Sequence, residues 1–377
     1  MNVSRKLDIA TVIENKSCFL FGPRQCGKTW LVRNTMPDAH RVDLLRGDMF
    51  TRLSRTPGYL EEIAFDGRPV VIDEIQKLPM LLDEVHRLIE EKGLRFLLTG
   101  SSARKLRAGG VNLLGGRARI RHLHPFSAVE LGDLFNLDRA ISHGLLPGIW
   151  FSDDPDDDLS SYARLYLEQE VIAEGATRNL PAFSRFLEVA ALTSGEQINY
   201  SKIASDAQVP RSTVQEYFRI LQETLVAREI PVWKHGRSRK TVETSKFYLF
   251  DTGVMRKLQG RGELARGTPE WGHAFECLVL NELVAYVDCL ARDTEIAYWR
   301  TPAGMEVDFI LGDETAIEVK STENVRPEHL KGLRAIQEEM PFRNRVVVCN
   351  EPLPRCVDGI LVLPFRDFAE RLWAESL

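Results

Sequence analysis

Residues Gly22-Pro23-Arg24-Gln25-Cys26-Gly27-Lys28-Thr29 fit the pattern GxxxxGK[ST] in full. A short apolar stretch, Cys18–Phe21, precedes them, and Trp30-Leu31-Val32 begin a helical pattern after them. Strand, glycine-rich loop and helix start are the context this spacing requires. Glycines let the backbone turn its N–H groups toward an anion, and the helix N-terminus adds positive potential. Lys28 is suited to the outer phosphates of a nucleotide and Thr29 to a magnesium ion.

Such a loop grows out of a parallel sheet, and the next residues supply one. Val70-Val71-Ile72 and Phe96–Leu98 are short and wholly apolar, as strands covered on both faces are. Leu81, Leu82, Val85, Leu88 and Ile89 recur at helical spacing between them, with Gly93 as the stop. The expected class is α/β, a parallel sheet with helices on both faces. Asp73 and Glu74 follow the second strand, at the edge where such sheets bind ligands. Asp73 is the expected metal ligand, and Glu74 the group that orients or deprotonates an attacking water. Thr99-Gly100-Ser101-Ser102 follow the third strand, where a hydroxyl either contacts a phosphate or closes an ordinary turn. Arg117, with Arg119 and Arg104 behind it, is a candidate finger for a neighbouring subunit's phosphate or a plain surface arginine.

Composition limits the rest. A chain of 377 residues predicts two or three domains. A net charge of −5 removes any whole-chain electrostatic case for nucleic acid, so only a local basic patch carries one. Six scattered cysteines without a CxxC pair suit reduced thiols and a cytoplasmic location. No apolar run is long enough to cross a membrane, and no signal peptide is expected. His122 and His124 alternate on an expected strand with no third ligand.

Residues 153–158, DDPDDD, read as a solvated turn or linker. Residues 198–250 read as a helix-turn-helix with a wing. Ser212–Thr224 buries Val214, Tyr217, Phe218 and Leu221 and turns Arg211, Gln215 and Arg219 outward. The loop Lys234-His235-Gly236-Arg237-Ser238-Arg239-Lys240 is basic and suits DNA phosphates, although Glu216 and Glu223 oppose them. DNA contact and a purely structural module both stand. Farther on, a helix over His273–Tyr286 carries Glu276, and two strands carry Asp308 and then Glu318 and Lys320. The spacing D-x9-E-x-K with an upstream helical Glu resembles the PD-(D/E)XK nuclease core. That resemblance implies Asp308 and Glu318 as ligands of a second Mg²⁺ or Mn²⁺, Glu276 completing the site, and Lys320 positioning water or steadying the scissile phosphate.

A wider resemblance rests on FLFGPRQCGKT, VVIDEIQKLP, LLTGSSARKL and LLGGRARIRHLHPFSAVEL in the front, and on KFYLFDTGV, AYWRTPAGMEVDFIL and AIEVKST behind. The chain resembles the prokaryotic AAA-type P-loop ATPases that carry a characteristic C-terminal domain of unknown function. The resemblance implies ATP held along Gly22–Trp30, hydrolysis with Mg²⁺, and self-assembly. Cys26 departs from the small Ser, Thr, Val or Ala expected there and makes the loop open to oxidation. The expected layout is an ATPase domain over 1–135, a helical lid or linker over 136–195, a winged-helix segment over 196–250 and a nuclease-like domain over 251–377. The expected function is ATP hydrolysis coupled to a DNA-binding or nuclease-like module. The alternative is an ATP-dependent switch whose rear half binds protein or DNA without cutting.

Overall fold

A computed structural model of the chain describes residues 3–64, 66–104, 106, 114–163, 179–234, 239 and 241–377. They group into two compact units. The first is Met1–Pro125 with Glu223–Leu225 and Asp288–Ala291; the second is Phe126–Gln222, Val226–Val287 and Arg292–Leu377. Apart from those two short stretches, the segments expected over 136–195, 196–250 and 251–377 lie in the second unit.

The first unit is built on a five-stranded parallel sheet: β1 (Ser17–Phe21), β2 (His40–Asp43), β3 (Val70–Asp73), β4 (Phe96–Gly100) and β5 (Ala118–His122). The order across the sheet is β2-β3-β4-β1-β5. Alternation along the strands feeds two cores. Phe19, Phe21, Ile72 and Leu98 pack on one face; Cys18, Leu20, Val71 and Leu97 pack on the other. Sequence periodicity missed β2, because only Val42 of His40–Asp43 is buried. It also ended the third strand early. Thr99 and Gly100 belong to β4, in register with Leu20 and Phe21 of β1. Helix α1 (Lys28–Thr35) starts directly after Gly27, whose φ of 95° is left-handed. Helix α2 (Leu81–Lys92) buries Leu81, Leu82, Val85 and Leu88 and stops at Gly93, as its spacing predicts.

In the second unit, α3 (Leu180–Leu192), α4 (Tyr200–Ala207) and α5 (Arg211–Glu223) lead into an antiparallel pair, β6 (Ala227–Ile230) and β7 (Lys246–Leu249). Val214, Tyr217, Phe218 and Leu221 are buried as expected, and Phe218 meets Phe247 edge-on at 4.5 Å. Then α6 (Pro269–Cys289) is followed by β8 (Ile296–Arg300), β9 (Glu306–Leu311), β10 (Thr315–Val319), α7 (Lys331–Glu339), β11 (Asn344–Cys349), β12 (Arg355–Val357), β13 (Ile360–Pro364) and α8 (Phe365–Trp373). The sheet order is β12-β13-β11-β10-β9-β8, antiparallel from β8 to β10 and parallel from β10 through β11 to β13. The segment after β6 joins the edge of this sheet, where Tyr298 N–H donates to Pro231 O and Trp233 N–H donates to Tyr298 O.

DDPDDD is a correction. Pro155–Ser161 is a helix capped by Asp154, with Asp156, Asp157 and Asp158 in its first turn. Proline fits the first helical position, and acids there meet the positive end of the helix. Of the basic wing, only Lys234 and Arg239 are among the described residues; 235–238 and Lys240 lie outside them.

Candidate functional site

The phosphate loop leaves the C-terminal end of β1 and closes on itself. Gln25 and Gly27 both take positive φ, 59° and 95°, which turns the loop tightly before α1. Gly22 is obligatory, since a Cβ there would lie 2.3 Å from Leu123 O and 2.9 Å from Cys26 Sγ. Cys26 is fully buried under the loop, while Arg24, Gln25, Thr29 and Trp30 are exposed. The Lys28 ammonium donates to the carbonyls of Gly22 (2.6 Å) and Pro23 (3.0 Å). Arg5 braces the loop from outside, donating to Cys26 O at 2.8 Å and His124 O at 2.6 Å.

Beside the loop, Thr29 Oγ1 lies 3.4 Å from Asp73 Oδ2, and Thr99 Oγ1 donates to the other Asp73 oxygen. These hard oxygens line a cavity of about 70 Å³ that also takes in Asp43 at the end of β2. The donor set fits Mg²⁺, with room left for phosphate oxygens and water. Glu74 follows Asp73 at φ 60°, a left-handed conformation uncommon outside glycine and asparagine. The Gln76 amide donates to Glu74 Oε2 at 2.5 Å and reaches Ser101 Oγ at 3.2 Å, so β3 and β4 share one polar bridge. Thus the structure brings together Lys28, Thr29, Asp73 and Glu74. It does not bring Arg117 to them. Arg117 precedes β5 at the end paired with Ser17, whereas the loop follows Phe21 at the far end of β1. Five strand residues separate the two edges, roughly 17 Å. The Arg117 side chain pairs with Glu90.

The rear acids also gather, from α6, β9 and β10. Glu318 and Lys320 pair at 2.6 Å, and Lys320 stands 3.8 Å from Asp308. Asp308 Oδ2 accepts the Val319 N–H at 2.8 Å. Glu276 Oε1 accepts from the Tyr248 hydroxyl at 2.5 Å and the Lys246 ammonium at 3.0 Å. Lys246 also lies 2.7 Å from Glu306. Burial pushes the Glu318 and Glu276 carboxyls up from their ordinary range. Burial opposes the charge on Lys320, yet Asp308 and Glu318 hold it above its usual value. Among the described residues, no three or more His, Cys, Asp or Glu side chains are arranged to hold a metal ion, and the two lysines take the acceptors. Asp308 and Glu318 thus stand in a carboxylate–ammonium cluster with Lys246 and Lys320.

Residues 14–132 match the family described as an AAA domain. The front of the chain is thus similar to AAA domains. Residues 134–265 and 271–368 match two families described as domains of unknown function, DUF8612 and DUF4143. Among curated proteins, the chain is 27% identical over 323 residues to the uncharacterized proteins Mb2031c of Mycobacterium bovis and Rv2008c of Mycobacterium tuberculosis, covering 80% of this chain and 70% of each. Among solved structures, a signal transduction ATPase with a tetratricopeptide repeat sensor from Pyrococcus horikoshii aligns over 78% of this chain at 14% identity and a TM-score of 0.26. The alignment spans about half of that longer protein, 48%. The Thermotoga maritima RuvB Holliday junction branch migration motor aligns over 59% of this chain and 87% of its own length, at 16% identity and a TM-score of 0.29.

Three residues around the phosphate-loop site escaped sequence reasoning. Asp43 ends a strand that shows no apolar run. Gln76 sits in a short turn that periodicity does not mark. Arg5 acts on backbone carbonyls 21 and 119 residues away, and no spacing rule reaches that far. In the second unit the residue missed is Lys246, whose strand was expected but whose partner on α6 was not. No described helix is long and apolar enough to cross a membrane.

Proposed function

We propose that the chain binds ATP along Gly22–Trp30, hydrolyses it with Mg²⁺, and uses the cycle to drive its second unit. The observation that carries this is the Thr29–Asp73 approach of 3.4 Å at the mouth of the phosphate loop. Thr29 and Asp73 would hold the ion, which supplies charge neutralisation on the phosphate oxygens. Lys28 would exchange its two loop carbonyls for the β- and γ-phosphates. Glu74, its carboxylate held by Gln76, would take a proton from the attacking water. Because Arg117 stands at the opposite sheet edge, it would serve the γ-phosphate of a neighbouring copy, and self-assembly belongs to this reading. The test is steady-state ATP turnover beside nucleotide binding. Glu74→Gln should bind ATP normally and turn over roughly 10²–10³-fold more slowly. Lys28→Ala should lose binding itself. Wild-type turnover by Glu74→Gln would remove Glu74 from its role.

For the second unit, the reading is a module that binds DNA, or failing that protein, without cutting it. Lys246 among the acids favours this over a PD-(D/E)XK nuclease with a second Mg²⁺ or Mn²⁺. Among the described residues, two of the arginines expected to face DNA are already paired. Arg239 is tied to Glu338, Glu339 and Ala335 O, and Arg219 pairs with Glu216 at 2.7 Å. Arg211 and Gln215 remain on the outer face of α5. Supercoiled plasmid incubated with Mg²⁺ or Mn²⁺, with and without ATP, should stay uncut. Nicking that disappears in Asp308→Ala would restore the nuclease reading, with Glu276, Asp308, Glu318 and Lys320 in their expected roles.

A further inference from the structure

Lys246 belongs to β7, the second strand of the hairpin after α5, yet its ammonium lies inside the acid cluster of the α/β sheet. The side chain is 5% exposed. Its nitrogen is 3.0 Å from Glu276, 2.7 Å from Glu306 and 4.0 Å from Asp308. Glu276 and Glu306 lie within direct contact of the ammonium, and Asp308 adds its charge from just beyond hydrogen-bond reach. Tyr248, two residues along the same strand face, adds its hydroxyl to Glu276. Lys320 takes Glu318 Oε1 in the same way.

Access does not explain the absence of a metal arrangement. The cluster opens into a cleft of about 1090 Å³, lined by Lys246, Glu276, Glu306 and Asp308 and by Lys202 and Arg211. Nor are all the acids satisfied. Glu318 Oε2 is buried with no hydrogen-bond partner, on a side chain 8% exposed. Removing Lys246 would free the Glu276 and Glu306 oxygens beside Asp308 for another cation.

We propose that Lys246 is the resident cation of the acid cluster, seated where a divalent ion would need to be, so that lysine and metal exclude one another. The proposal deepens the reading of the second unit as a module that does not cut, and it is independent of ATP hydrolysis. The charge is held inside the chain: withdrawing β7 would leave Glu276, Glu306, Asp308 and Glu318 with Lys320, and with Arg300 at Glu306, as their remaining cations.

The experiment is Mn²⁺ titration of the full chain without nucleotide, followed by the electron paramagnetic resonance signal of the free ion. Wild type, Lys246→Met and the double variant Lys246→Met/Asp308→Asn are compared. Lys246→Met should bind Mn²⁺ at least about tenfold more tightly than wild type, and the double variant should lose that gain. Equal binding by wild type and Lys246→Met overturns the proposal, as does a gain that survives Asp308→Asn. If Lys246→Met does not fold, Lys246→Gln, which keeps a donor without the charge, is read by the same criteria. The wild-type chain alone also tests the idea, because Mn²⁺ binding lost in Asp308→Asn would show that Lys246 excludes nothing. Loss of ATP turnover leaves these readings untouched.

Discussion

A methyl group on Gly22 would meet a backbone carbonyl, which cannot swing aside as a side chain can. Gly22→Ala should therefore cost the first unit about 1–3 kcal/mol and remove ATP binding. Scanning fluorimetry with and without ATP reads both effects, and an unshifted melting curve would mean that the loop yields. Arg117 makes the opposite kind of prediction. Its own phosphate loop is a strand's length away, so Arg117→Ala should leave ATP binding intact and lower turnover by roughly 10³-fold. Turnover that does not change would reduce Arg117 to its pairing with Glu90. These residues were legible because the chemistry packs them into a few consecutive positions. Gly22 to Thr29 form one loop, and Asp73 and Glu74 end one strand. Lys246 was not legible, because its meaning lies in Glu276, 30 residues on, and Glu306 beyond it. A lysine on a short strand carries no mark of the acids it will face.

Helix caps show the same limit at the next scale. Asp251 caps the helix Thr252–Leu258, accepting from Val254 N–H at 3.0 Å, and its second oxygen accepts from Leu145 N–H at 2.7 Å. Burial pushes its carboxyl up to about 6, against backbone hydrogen bonds that pull it down. A raised folded-state pKa means the folded chain holds the proton longer than the unfolded one. The contribution is full below the unfolded value near 3.8 and is lost as pH rises through about 6. Across that window the second unit should lose up to about 3 kcal/mol. Asp251→Asn keeps a capping acceptor and does not titrate, so urea melts at pH 4 and pH 7 should differ less in the variant than in wild type. An unchanged difference would assign the slope to other groups. Elements with a strong apolar stripe, such as α2 and α5, were legible end to end. DDPDDD was legible as solvated, since its five Asp are exposed, but not as the start of a helix. Nor were the partners of Asp156 legible: Arg256 and Lys257, each at 2.6 Å, lie 100 or more positions along the chain.

For the whole molecule, the proposed role of Arg117 at another copy's nucleotide requires the copies to meet. Glu74→Gln with ATP and Mg²⁺ should sediment faster than the nucleotide-free chain, and Arg117→Ala should weaken that change. A constant sedimentation coefficient would leave the arginine without a site to serve. The sheet order adds a consequence for how the protein is made. β1 leaves the ribosome first of the five strands, yet its places are beside β4 and β5, and the latter ends at His122. At about 5–20 residues per second, roughly 100 further residues take some 5–20 s to emerge. Throughout that interval Cys18-Phe19-Leu20-Phe21, buried to the last residue in the finished sheet, has no neighbour on its β5 edge. A nascent chain stalled before residue 118 thus holds β1 with β4 available on one edge and no strand for the other.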